Sequence, residues 1–416
     1  MSVTPSEPAS TASSVSAPAD RRHMRRWTLA FGFYTLAVNL AFNRAVWVIF
    51  LAMRGYNPFA IGLFEMCFHI GKFIAEVPTG AFADLVGRRS ALIVSCILGA
   101  ISELMFVVPT APVLVASFAL SGVAFAFRGG ADSALLWTLA AKSGDRDQAG
   151  RYSRLYSRMF LLMLAGETVG TASGGALASV TLVLPFVCAA AAIALGIVPL
   201  LLLPEQRIER SQRPRMAVHV AAGMRAAWRD PVLLGLLLVS GLTASVWTTI
   251  GFYTQLYFNA LGFSLAAIGL IFAVSIIPDA LATASAPRLL SRLPARVILP
   301  CAIGLEALGI LMMSTEQRTL GLVGFLVFFH AADALISPAI SRYLNQRSPE
   351  EQRATVLSLD TGLFSAAMIV MFPLFGLGLT HTAYAVAYRG TVVALVAGCA
   401  AIYSFSRLLS RMRRAT

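Results

Sequence analysis

After Arg26 the chain falls into twelve apolar stretches of about 20–28 residues, each long enough to cross a hydrocarbon layer of about 30 Å as a helix. They run roughly over 27–53, 59–83, 90–109, 113–141, 152–178, 181–203, 231–258, 263–288, 297–314, 319–346, 354–379 and 383–408. In lipid every backbone N–H and C=O must be paired internally, which leaves only helices and closed barrels. The stretches are continuous, without the short alternating segments of barrel strands, and this selects helices. The connections Gly55–Pro58, Pro109–Pro112 and Asn259–Gly262 are so short that the stretches they join must be antiparallel neighbours. Composition agrees. Apolar residues make up 57% and charged residues 13%, with a mean hydropathy of +0.75. A soluble chain carries about twice that charged fraction. A soluble enzyme, a disordered protein and a coiled coil are excluded.

The net charge of +13 would point to nucleic acid in a soluble protein. Here the cations fall on one side. With both termini inside, 27 of the 33 Lys and Arg lie in or beside cytoplasmic segments. The others are Arg44, Arg54, Lys72, Arg128, Arg318 and Arg389, of which only Arg54 and Arg318 clearly sit in external loops. One missed helix would break this alternation, so it supports the span count as well as the orientation. No aromatic-rich basic domain exists outside the spans, so no nucleic-acid partner is expected.

Residues 1–26 read as a disordered cytoplasmic tail, because 1–20 are small and polar and cannot bury a core. The apolar segment that follows is too long for a secretory signal and lacks a cleavage site. The longest connection, 204–230, separates a first bundle over 27–203 from a second over 231–410, with a short tail over 411–416. Pro214 opens an amphipathic stretch with Met216, Val220, Met224 and Trp228 among arginines, read as a helix on the inner leaflet. The bundles echo each other at an offset of 204–207: Cys96-Ile97-Leu98-Gly99 recurs as Cys301-Ala302-Ile303-Gly304. Two related six-helix halves place a solute site near the midplane between them.

Residues Glu76 to Arg89 join the second and third spans. Gly80, Asp84, Gly87, Arg88 and Arg89 carry the pattern of a glycine, three residues, Asp, then Gly and two basic residues. This resembles motif A of the major facilitator superfamily, with Leu85 where the family usually has Arg or Lys. The resemblance covers about residues 27–410. It implies an all-α integral membrane fold of twelve helices in two pseudo-symmetric six-helix bundles, with this loop as a latch of the transport cycle. The residues allow that role on their own chemistry. Gly80 and Gly87 permit close approach and a tight turn, Asp84 can accept from a helix N-terminus, and Arg88 and Arg89 can hold carboxylates across the seam. Gly166, Gly170, Gly174 and Gly175 of the fifth span are similar to the antiporter motif C, with Thr171 in place of its proline. A small-residue helix contact would use the same glycines. Motif B is not matched, since its arginine would fall at Phe118 while Arg128 lies ten residues on.

Nine of the 20 acids lie within spans: Glu65, Glu76, Glu103, Asp132, Glu167, Asp279, Glu306, Asp333 and Asp360. Each costs about 2.5–3.5 kcal/mol at a helix centre, so each needs a partner, a hydrated cavity or a coupling role. Glu65, His69, Lys72 and Glu76 fall within an arc of about 60° on one helix, a polar stripe that serves either a gate or an ion-pair ladder. Arg128 and Asp132, one turn apart, can pair, either structurally or exchangeably. Glu167 has no cation one turn away. Such a carboxyl is desolvated, which favours its protonated form and suits a proton carrier. Asp279 follows Pro278 in a kinked span, and His330 with Asp333 on one face suits a proton relay. Asn39, Asn43, Trp247, Tyr253, Tyr257, Phe364 and Met368 are candidate cavity walls, where aromatics and Met suit an adaptable apolar solute. Plain helix contact is the alternative for all seven.

Five scattered cysteines imply neither metal nor disulfide, and no phosphate loop or hydrolase pattern is present. No cofactor and no enzymatic activity are expected. The expectation is a monomeric secondary transporter of a small organic solute in a bacterial inner membrane, working by alternating access. Proton-coupled export of amphipathic or drug-like compounds leads. Uptake of a small polar or anionic metabolite, recognised by Arg128, Lys72 and His69, is the alternative, and a non-transporting sensor of the same fold is a third.

Overall fold

The computed structural model describes residues 21–142, 147–205, 230–348 and 353–415. The expectations for the tail over 1–20 and for the amphipathic stretch after Pro214 lie outside the described residues. Regular structure among the described residues is helical throughout. The first bundle comprises α1 (Arg21–Val38), α2 (Trp47–Met53), α3 (Pro58–Leu85), α4 (Arg88–Met105), α5 (Ala111–Arg128), α6 (Ala131–Ala141), α7 (Gln148–Val180), α8 (Leu184–Leu195) and α9 (Ile197–Leu200). The second comprises α10 (Pro231–Ala260), α11 (Leu265–Val274), α12 (Ile276–Arg292), α13 (Ala295–Met313), α14 (Arg318–Val323), a π-helical turn (Gly324–Phe329), α15 (His330–Arg347), α16 (Arg353–His381) and α17 (Tyr384–Ala415). Taken as rods, some broken, these make twelve segments at the expected places. Eight are long and apolar enough to span a membrane by that measure alone. Residues 21–26 are helical and open α1, and 411–415 close α17, where tails were expected: nothing in these arginine-rich turns breaks a helix.

Helix starts are written locally. Asn57 accepts from the Ala60 N–H at 2.8 Å ahead of Pro58, and Asp230 accepts from Val232 N–H at 2.9 Å ahead of Pro231. Asp147 and Ser264 cap α7 and α11 in the same way. The breaks are equally local. Gly130, at φ 76°, divides α5 from α6. Pro278 cannot donate to Val274, and the eighth span breaks between α11 and α12 at that turn.

The first span unwinds over 39–46, which its even hydropathy did not announce. Asn39 donates back to Thr35 O at 2.7 Å and closes α1. The glycines of α7 admit the unwound chain. A Cβ at Gly166 would stand 2.8 Å from Leu36 O, one at Gly170 2.5 Å from Ala41 N, and one at Gly174 would collide with Phe42 O. Gly175 meets Gly269 of α11 in the same manner, at the seam between the bundles.

The apolar clusters show how the halves meet. One large cluster spans both, joining Trp47, Phe50, Phe118 and Phe186 to Tyr253, Phe258, Phe372 and Tyr388. It lies at the end opposite the termini. Toward the termini the clusters separate, one around Tyr34, Leu92 and Leu139 in the first half and others around Leu237, Ile336 and Ala339 in the second. Hydrogen bonds between the halves follow the same rule among the described residues. Gln255 accepts from Val48 N at 3.1 Å and donates to Arg44 O at 2.9 Å. Tyr253 Oη donates to Pro58 O at 2.6 Å, and Phe59 N donates to Thr380 Oγ1 at 3.3 Å. The halves are sealed at one end and parted at the other.

Candidate functional site

The parted halves enclose a cavity of three lobes. The central lobe, about 400 Å³, lies between α7 and α12 and is lined by Arg44, Glu167, Thr171, Trp247, Phe252, Asp279 and His330 among others. A second lobe of about 290 Å³ in the first half shares Phe160 with it and is lined by Asn39, Arg128 and Asp132. A third of about 440 Å³ in the second half shares Trp247 and Thr248 and is lined by Asp333, Asp360 and Phe364. These volumes suit organic solutes of drug-like size.

Two ion pairs face the central lobe, one from each half. Glu167 is not unpaired: Arg44, carried on the unwound stretch between α1 and α2, binds it directly. The pair joins the first and fifth spans, which spacing within one helix could not reveal. His330 pairs with Asp279 rather than Asp333, with Nδ1 3.0 Å from Asp279 Oδ2. His330 and Asp333 remain one turn apart on α15, but Asp279 of α12 lies within hydrogen-bonding distance of the imidazole and takes it. His330 Nε2 and Asp279 Oδ1 are buried without a partner. Asp279 also acts electrostatically on Arg44 across the lobe.

The remaining expectations divide. Arg128 and Asp132 stand 4.0 Å apart, but the Gly129–Gly130 break puts them on different helices, and Tyr34 Oη donates to Asp132 at 2.9 Å. Asn43 lines none of the three lobes. It donates to both carboxylate oxygens of Glu103, at 3.0 and 2.8 Å, and so satisfies a buried acid. Tyr253, Tyr257 and Met368 are fully buried in the sealed end and line none of the three lobes. Trp247 and Phe364 do line the lobes.

The stripe on α3 splits as well. Glu65 and His69 are buried 3.6 Å apart, and neither lines any of the three lobes. Lys72 is buried with its Nζ 5.0 Å from the Phe125 ring of the first half and 5.9 Å from Phe364 of the second. Glu76 is exposed on the parted side.

Gly80 and Asp84 lie in the last turns of α3, and the cations that follow them do not cross the seam. Gly87, at φ 127°, starts α4 and turns it onto Glu205 at the end of the sixth span. Glu205 accepts from Arg89 N at 3.1 Å and Ser90 Oγ at 2.6 Å, with Arg89 Nε 3.3 Å away. Arg89 also donates to Leu203 O, and Arg88 to Ala134 O at 3.0 Å. Both arginines are thus held within the first half, Arg89 on an acid near the chain's midpoint that lies outside the motif. Asp84 is half-buried beside Arg88.

The family model of the Major Facilitator Superfamily matches residues 26–277 and 243–414. The chain belongs to that superfamily. An uncharacterized MFS-type transporter, YxaM of Bacillus subtilis (strain 168), is 22% identical over 349 residues, covering 80% of this chain and 84% of its own. Among solved structures, the nucleoside transporter NupG superposes with a TM-score of 0.77 at 13% identity, over 92% of this chain and 98% of its own. A D-xylose-proton symporter superposes at 0.68 with 15% identity, over 91% and 97%. A bacterial homolog of the human lysosomal transporter Spinster superposes at 0.71 with 16% identity, over 94% and 98%. At these identities the likeness establishes a shared fold. This superfamily member is a multi-pass transporter and not an enzyme.

Proposed function

We propose that the protein exports small amphipathic organic compounds in exchange for protons, across a bacterial cytoplasmic membrane with both termini inside. In that orientation the sealed end faces outward and the cavity opens to the cytoplasm, ready to load.

The observation that carries this reading is the central lobe, where Arg44–Glu167 and Asp279–His330 confront each other from the two halves between aromatic walls. A proton neutralises a carboxylate whose charge a cationic solute group would otherwise use, so proton and solute compete. Binding of one then disfavours the other, as exchange requires. The aromatic walls of Phe160, Trp247, Phe252 and Phe272 suit an apolar body.

Transport into inverted vesicles tests the reading. Solute accumulation should require an imposed pH gradient, and full accumulation after collapse of the gradient contradicts it. Arg128, which lines the second lobe, favours the competing reading of anion uptake. Accumulation by intact cells, driven by the inward proton gradient, would select that one instead.

A further inference from the structure

The third lobe, framed by α10, α15 and α16, differs chemically from the other two. Asp333 and Asp360 line it with hydroxyls of Ser240, Thr243, Thr248 and Ser337, and no Lys or Arg is among its lining residues. Ser240 bonds to the Asp360 carboxyl, yet Asp360 Oδ1 is buried without a partner. Behind this wall Glu306 of α13 is 1% exposed, neither of its carboxylate oxygens has a partner, and it lies within the electrostatic reach of Asp333.

Three acids therefore gather around a roomy cavity with surplus acceptors and no resident cation among the described residues. Every other carboxylate facing the central or second lobe has a basic side chain beside it: Glu167 has Arg44, Asp132 has Arg128, and Asp279 has the imidazole of His330. Low dielectric makes such a surplus of negative charge costly unless a cation or protons supply the balance.

We propose that this lobe binds the protonated amine of the transported compound, with Asp333 and Asp360 as its carboxylate partners. An organic ammonium supplies both the missing charge and the missing N–H donors. The indole of Trp247 lines both the third and the central lobe, so it offers a π-face to the cation while the apolar body extends toward Phe252 and Phe272. The solute class is thus an amphipathic amine, its charged end in the second half and its body in the centre. This deepens the export reading and rests on it for the role of the site, but not for binding itself.

Equilibrium binding to the purified full chain in detergent tests the proposal, with dansylcadaverine as a fluorescent primary amine and its neutral N-acetyl derivative as the isostere. The amine should bind at least about tenfold tighter than the derivative. Asp333→Asn and Asp360→Asn should each weaken the amine by about tenfold or more and leave the derivative unchanged. Glu316→Gln, in a remote loop, should change neither, and a monodisperse elution profile with unchanged helical circular dichroism shows that each variant is folded. Equal binding of amine and derivative by the unaltered chain overturns the proposal. So does an undiminished preference for the amine in both folded Asp→Asn variants. A transporter that proves independent of protons would leave these binding results intact, so the two readings fail separately.

Discussion

Arg44 and Glu167 hold opposite charges on two different spans, and each makes the other tolerable at the depth of the cavity. Removing either partner strands the other. Charge-assisted hydrogen bonds contribute about 1.5–3 kcal/mol, so Glu167→Gln should slow gradient-driven transport on the order of 10- to 100-fold. If Glu167 carries the proton, solute exchange without a pH gradient should survive in that variant, and a matched loss in both assays would assign Glu167 to solute binding alone. His330→Gln keeps the ring's size class but cannot take a charge. It should flatten the dependence of transport on pH, and a profile unchanged from the unaltered chain would remove His330 from coupling. Neither pair was legible from spacing, because the partners lie on separate rods. A signal was nonetheless present: Arg44 is a lone cation inside an apolar stretch and Glu167 a lone acid in another, and each unpaired charge in lipid implies a partner elsewhere.

At the scale of elements, the glycines of α7 and the unwinding of the first span are one device. The unwound chain over 39–46 can lie against α7 only where side chains are missing, and it carries Arg44 into the cavity. Gly170→Ala should therefore cost about 1–3 kcal/mol through overpacking against Ala41 and lower the thermal midpoint in detergent. An unchanged midpoint would show that the two elements can part without penalty. Hydropathy gave the places of the spans because about 20 apolar residues in a row have few other uses. It could not give the breaks at 39–46 or at Gly129–Gly130, because an apolar stretch reads alike whether its helix is continuous or interrupted; the break at Ser275 was legible only through Pro278. Of the within-helix pairings, Arg128 and Asp132 do meet, across a break, while His330 is taken by Asp279 of another rod. The turn of Gly87 was readable from its residue type, while its anchor Glu205, more than a hundred positions on, was not.

The whole molecule is two bundles closed at one end by a shared apolar cluster and by bonds through Gln255 and Tyr253. Gln255→Ala deletes two hydrogen bonds that exist only while this end is sealed. At about 1 kcal/mol each, their loss should shift the equilibrium toward the opposite opening by about 30-fold. Spin labels placed across the sealed end should report the longer distance in a larger fraction of molecules, and an unaltered distribution would mean that the apolar cluster alone holds the seal. Alternating access and proton coupling meet in the central lobe, and simultaneous recording of proton and solute movement tests that claim most directly. Purified protein in liposomes, with a pH-sensitive dye inside and an amphipathic amine supplied on one side, should show protons moving opposite to the amine, with Glu167→Gln abolishing the proton signal. Amine movement with no accompanying proton flux, or an undiminished proton flux in Glu167→Gln, would contradict it.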